Sequence, residues 1–133
     1  MQVLKGRGIS KGVAKGEALV MRQTFSFLGG VDPETGIITE RGHEFEGESV
    51  TRKILVFPGG KGSTGGSYAL MEMKEKCVGP KALINTKTET IIAVGAILAE
   101  LPLVDQLEQD PIQAIVSGDT VEVDGDKGLV KIF

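Results

Sequence analysis

One cysteine, one histidine and no tryptophan occur among the 133 residues. A lone thiol, Cys77, excludes an intrachain disulfide framework. With His43 as the only imidazole, a self-contained cysteine or histidine metal site is excluded as well. Metal chemistry served by this chain has to be completed elsewhere. Basic residues are also in short supply: 15 Lys and Arg against 18 Asp and Glu give a net charge of −3. Nucleic acid and anionic membranes both select a basic face, so neither is expected as a partner. No apolar run approaches the ~20 residues of a membrane span, and the opening MQVLKGRGISKG lacks the apolar segment of a signal peptide. The expected location is the cytoplasm. Repeats, low-complexity tracts and linkers are missing too, and a 133-residue chain that is 41% hydrophobic suits one core better than two. Residues 1–133 are read as a single domain.

What the chain has in quantity is glycine. Nineteen glycines and five prolines divide it into short pieces. EALVMRQ (17–23), KILVF (53–57) and KALIN (81–85) read as strands, the last two apolar enough to be buried on both faces. Residues 24–52 form a long acidic connection with the turn signals LGGVDPETG and ERGHEFEGES, expected to contain a short strand pair. A helix is predicted from about Thr64 to before VGP (78–80), with Leu70, Met73 and Cys77 on one face. Thr86 and Glu89 stand at capping-box spacing ahead of TIIAVGAILAEL, a helix apolar on nearly every side and so expected to be covered by a sheet, with Pro102 limiting its length. DTVEVDGDKGLVKIF reads as a hairpin about Asp124–Gly128. The order strand, helix, strand, helix predicts an α/β fold with a parallel β-α-β-α unit flanked by antiparallel strands.

The densest glycine stretch, VFPGGKGSTGGSYAL (56–70), carries a buried strand directly into a helix. Such a junction leaves several backbone N–H groups pointing at one spot, with the positive end of the helix dipole behind them. The spot suits an anion. Ser63 or Thr64 capping the helix is the ordinary reading, but capping needs one hydroxyl, and glycines on both sides let a ligand approach the backbone. The GxxxxGK[ST] order of a nucleotide phosphate loop is absent, since Lys61 precedes the hydroxyls, and ATP is not expected.

FLGGVDPETG (27–36), ILVFPGGKGSTGGSYAL (54–70) and AVGAILAELPLVD (93–105), in this order and spacing, resemble the small subunit of the aconitase X family over almost the entire chain. The resemblance implies a swivelling β/β/α domain of the aconitase type. It also implies a large catalytic subunit as partner, carrying an iron–sulfur cluster, with no cofactor and no metal on this chain. The two-chain form common in archaea implies dehydration of (R)-5-phosphomevalonate to trans-anhydromevalonate 5-phosphate in isoprenoid biosynthesis. Another hydroxy acid, such as cis-3-hydroxyproline, is the alternative substrate, and a non-catalytic swivelling or binding module is the alternative role. By similarity to the swivelling domain of ordinary aconitase, Ser63 falls on the serine that acts as base. Gly65 and Gly66 stand where that enzyme has a carboxylate-gripping arginine, so recognition of the substrate has to differ.

A β-hydroxy acid loses water when a base removes the proton next to its carboxylate while a Lewis acid draws off the hydroxyl. Serine serves as that base only if its alkoxide is stabilised, and N–H groups at a helix start do this by the logic of an oxyanion hole. Gly62, Thr64 and Gly65 around Ser63 are therefore candidate substrate contacts. Lys61 adjoins the hydroxyls, where it lowers the cost of the alkoxide, binds the substrate anion or points to solvent. Lys5, Arg7, Lys11 and Lys15 precede any acid in the chain. Arg7 is the one whose planar fork suits a phosphate or carboxylate, against the alternative of a solvated strand. Asp32 starts an Asp-Pro turn or contacts substrate or partner. His43 orients a carboxylate or is a solvated turn residue. Cys77 reads as a small hydrophobe on the helix core face.

Overall fold

Ile54–Phe57 is apolar at four consecutive positions, and all four are buried. A strand with no solvent face belongs inside a sheet that is covered on both sides. The computed structural model describes residues 1–61 and 65–133. Among these, the strands are β1 (Gln2–Lys5), β2 (Arg7–Ser10), β3 (Val13–Val20), β4 (Ile54–Phe57), β5 (Ala82–Asn85), β6 (Leu103–Asp105), β7 (Thr120–Asp124) and β8 (Leu129–Ile132). The helices are α1 (Phe27–Gly30), a single turn interrupted at Leu28 and Gly29, α2 (Gly65–Glu75), α3 (Thr90–Leu98) and α4 (Pro111–Ala114).

The strands form one mixed sheet in the order β1-β8-β7-β3-β4-β5-β6-β2. β3, β4, β5 and β6 run parallel at its centre. Antiparallel pairs flank them, with β7 and β8 on one side and β2 on the other. This is the expected parallel unit between antiparallel strands, extended by β3 and β6. β1 and β2 lie at opposite ends of the strand order, yet only Gly6 separates them. Successive Cα atoms are ~3.8 Å apart, so the two ends of the sheet must come together and the sheet curls round on itself. The Gly6 N–H donates to the Gly128 carbonyl at 2.7 Å where it crosses.

Curling gives the sheet an inner and an outer face, and side-chain alternation assigns residues to each. Ile54, Val56, Ile84, Val104, Val121 and Val123 belong to the inner cluster. Leu55, Phe57, Leu83 and Leu103 face outward, where Leu70 and Met73 of α2 and Ile92 and Ala96 of α3 cover them. The unbroken apolar runs in β4 and β5 are the direct record of this double burial.

The connection 24–52 is built into the outer core. Phe25, Phe27, Val31, Ile38 and Val50 are buried there, and Phe25, Phe27 and Phe57 meet edge to face with ring centroids 5.3–6.2 Å apart. The expected strand pair is reduced to the isolated bridges Val31–Ile38 and Ile37–Ser49. Three further expectations are corrected. Cys77 lies past the end of α2, exposed, with φ of 59°, because the chain turns there to bring Val78 back to the Met73 carbonyl. α3 is not covered all round, since Val94, Ile97 and Leu98 are exposed. Its N-cap is Glu89, not Thr86 in a capping box: the Glu89 carboxylate accepts from the N–H groups of Ile91 at 3.0 Å and Ile92 at 2.7 Å.

Candidate functional site

Four parallel strands bring four carboxyl ends to one edge of the sheet, the place where open α/β sheets bind ligands. The segments that leave this edge are residues 21–26 after β3, Pro58–Lys61 after β4, Thr86–Glu89 after β5, and Asp105 at the end of β6. Ser63 and its neighbours Gly62 and Thr64 lie outside the described residues. Lys61 precedes them, and Gly65 follows as the first residue of α2.

The turn after β4 is held from two sides. On one side, the Phe25 N–H donates to the Gly59 carbonyl at 3.1 Å, and the Lys61 N–H donates to the Phe25 carbonyl at 3.3 Å. On the other, the N–H groups of Thr86 and Lys87 both donate to the Pro58 carbonyl at 3.2 Å. Gly60 has no room for a side chain, because a Cβ there would meet Glu89 Oε1 at 2.5 Å. Gly65 packs beside α1, where a Cβ would lie 2.6 Å from Cδ2 of the half-exposed Leu28. The Gly65 N–H belongs to the first turn of α2, where backbone donors have no intrahelical acceptor.

Behind the turn runs a buried polar line. Asn85 and Asp105, both fully buried, close β5 and β6. Asn85 Nδ2 donates to the carbonyls of Phe57 and Ile84 at 3.2 Å, and its Oδ1 accepts from Thr88 Oγ1 at 3.2 Å. Asp105 Oδ2 accepts from the Thr88 N–H at 2.8 Å, and its two oxygens receive Arg7 Nε and one Nη at 3.0 Å each. Burial pushes the Asp105 carboxyl up, but the Arg7 hydrogen bond, the Thr88 N–H and the Arg7 charge together hold it below the usual carboxylate range. The same hydrogen bond, with the Asp105 charge, raises Arg7.

The candidates read from the sequence thus separate. Arg7 lies at the same edge, but two of its donors are committed to Asp105. Lys61 is exposed, with Nζ 3.5 Å from Glu40. Asp32 shapes its own turn, accepting from the Glu34 N–H at 2.9 Å through its side chain and from the Gly36 N–H at 2.8 Å through its carbonyl. His43 is buried, which the picture of a solvated turn residue does not fit. Its Nδ1 accepts from the Phe45 N–H at 3.0 Å, its ring stands 5.5 Å from that of Phe25, and Nε2 has no partner among the described residues. Asn85, Thr88 and Asp105 were missed by the sequence reading. The signal for Asn85 and Asp105 was a polar residue ending each of two apolar runs, KALIN and LPLVD, whereas Thr88 had none.

Comparison with known proteins places this edge in context. The family model for the aconitase X swivel domain matches residues 3–132. The chain belongs to the aconitase X swivel-domain family. Among its relatives, the phosphomevalonate dehydratase small subunit of Archaeoglobus fulgidus is 55% identical over 127 residues, covering 96% of each chain. That of Methanosarcina acetivorans is 51% identical over 130 residues, covering 98% of this chain and 90% of the relative. The crystal structure of Thermococcus kodakaraensis aconitase X in its holo-form superimposes with a TM-score of 0.95 at 47% identity, covering 100% of this chain and 99% of the other.

For a swivel domain of this family, the donor set decides what metal the chain itself can hold. An iron–sulfur cluster is held by several thiolates. Cys77 is the only cysteine in the chain, and no group of three or more His, Cys, Asp or Glu suited to a metal occurs among the described residues. The residues of this swivel domain do not fit a cluster. No helix among the described residues is long and apolar enough to cross a membrane.

Proposed function

We propose that this chain is the small subunit of a two-chain aconitase-type dehydratase that removes water from (R)-5-phosphomevalonate to give trans-anhydromevalonate 5-phosphate. The observation that carries the reading is identity of about 50% over nearly the whole chain with proteins named phosphomevalonate dehydratase small subunit. The partner is a large subunit, which also supplies the thiolates of any cluster and the group that withdraws the substrate hydroxyl. The place of work is the cytoplasm.

In this reading Ser63 takes the proton next to the substrate carboxylate. The N–H groups at the start of α2 stabilise its alkoxide, and Gly62, Thr64 and Gly65 are the candidate substrate contacts. Lys61 and the outer edge of Arg7 face the substrate anion. Asp32 and His43 shape the connection 24–52 beside the turn. The test is copurification of the partner with this chain, followed by incubation of the complex with 5-phosphomevalonate and, separately, with cis-3-hydroxyproline. Loss of water from the first substrate alone is the expected result. Turnover of the hydroxyproline alone would reassign the substrate, and turnover of neither would favour a non-catalytic module.

A further inference from the structure

The polar line behind the turn crosses four adjacent strands. Arg7 is on β2, Asp105 on β6, Asn85 on β5, and the Phe57 carbonyl ends β4, in the same sequence as the strands lie in the sheet. Burying a carboxylate and an amide at strand ends costs free energy that apolar residues would not incur, unless every polar atom finds a partner. Here they do: both ends of the Asn85 amide and both oxygens of Asp105 are engaged. Neither side chain is exposed to solvent, so neither can touch a substrate entering from outside.

Their effect is exerted through Thr88. Its N–H is held by Asp105 and its hydroxyl by Asn85, which fixes the segment 86–89 from both ends of one residue. That segment in turn holds the Pro58 carbonyl through Thr86 and Lys87 and sets the Glu89 carboxylate in the space that a side chain on Gly60 would need. We infer that Asp105, Thr88 and Asn85 form a positioning device that holds the turn Pro58–Lys61 in place at the carboxyl edge of the sheet. The inference rests on the reading of that turn as the reacting site. Placement of this kind is felt mainly in the rate, since a 1 Å misplacement can cost about a hundredfold.

The test uses the assembled two-chain enzyme with 5-phosphomevalonate. Thr88→Val keeps the shape of the side chain and removes the hydroxyl donor, and Asp105→Asn keeps the shape and removes the charge. Each should lower kcat about tenfold or more while KM stays within about threefold, the pattern of an interaction lost from the transition state. Thr88→Ser should restore the rate. Hydrogen exchange of the intact complex should quicken in the segments 57–61 and 86–89 and stay unchanged in α3. Unchanged kcat in Thr88→Val, or faster exchange spread through the whole chain, would overturn the inference. If Asp105→Asn does not assemble, Thr88→Val and its serine rescue decide alone. Ser63→Ala measured in parallel separates the two claims: a slow Thr88→Val enzyme beside a normal Ser63→Ala enzyme keeps the positioning device and removes Ser63 as base.

Discussion

Arg7 and Asp105 are cross-strand partners in the β2–β6 register, and their side chains meet as a fork on a carboxylate, both contacts at 3.0 Å. The pair is unequal in its surroundings: the Arg7 side chain is 53% exposed and that of Asp105 is 0%. A buried carboxylate that loses its partner is strongly destabilising, more so than the pair is stabilising. Arg7→Ala therefore strands Asp105 and disturbs Thr88. A rise in KM in that variant would not by itself identify an anion site. Arg7→Lys is no remedy, because a single ammonium cannot reproduce the bidentate fit.

The pair makes a pH prediction. The Asp105 carboxyl of the folded chain titrates below its ordinary value, about 3.9 in an unfolded chain. On acidification the unfolded chain then binds the proton first, so the stabilisation is complete above about pH 4 and is lost as pH falls through the folded value. Thermal melts of the wild type and of Asp105→Asn should differ most at neutral pH and converge below pH 4. Parallel curves down to pH 2 would mean that the carboxylate is not coupled to folding.

Lys61 offers a cleaner test of anion binding than Arg7. Its ammonium is exposed and, among the described residues, has only a long contact to Glu40, so Lys61→Ala should leave the melting temperature unchanged. If the substrate phosphate docks on it, loss of a charge-assisted hydrogen bond of about 1.5–3 kcal/mol should raise KM by about ten- to a hundredfold and weaken competition by inorganic phosphate. An unchanged KM would place the phosphate on the large subunit.

The legible parts of the chain were those governed by one local rule. Continuous apolar runs marked β4 and β5, and the Asp124–Gly128 turn marked the hairpin of β7 and β8. The pairing of β3 with β4 spans the connection 24–52 and that of β5 with β6 spans α3, so neither is set by adjacent residues. The α3 cap was misassigned because the pattern Thr86-x-x-Glu89 satisfies capping-box spacing while tertiary contacts claim the Thr86 N–H for Pro58. Cys77 looked like a core residue because helical spacing was carried two residues past the end of α2. The polar line was hardest of all, since Arg7 and Asp105 are 98 positions apart and only the strand order brings them together.

The single cysteine gives a prediction for the isolated chain. Anaerobic reconstitution with iron and sulfide should leave it without the visible absorbance of a cluster and without dehydratase activity, while the same treatment of the two-chain complex yields both. A stoichiometric cluster on this chain alone would overturn the division of labour between the subunits.

The sharpest prediction falls on Ser63 and Thr64. If Ser63 is the base, Ser63→Ala in the complex should leave substrate binding nearly intact while kcat collapses, because the lost interaction belongs to the transition state. If Thr64 chiefly caps α2, Thr64→Val should cost about 0.5–2 kcal/mol of stability and only a small part of the rate. Exchange of the substrate α-proton with deuterated solvent isolates the proton transfer from loss of water. It should vanish in Ser63→Ala and persist in Thr64→Val. Wild-type exchange in Ser63→Ala would remove the serine from the reaction, and loss of exchange in Thr64→Val alone would move the base one residue toward α2.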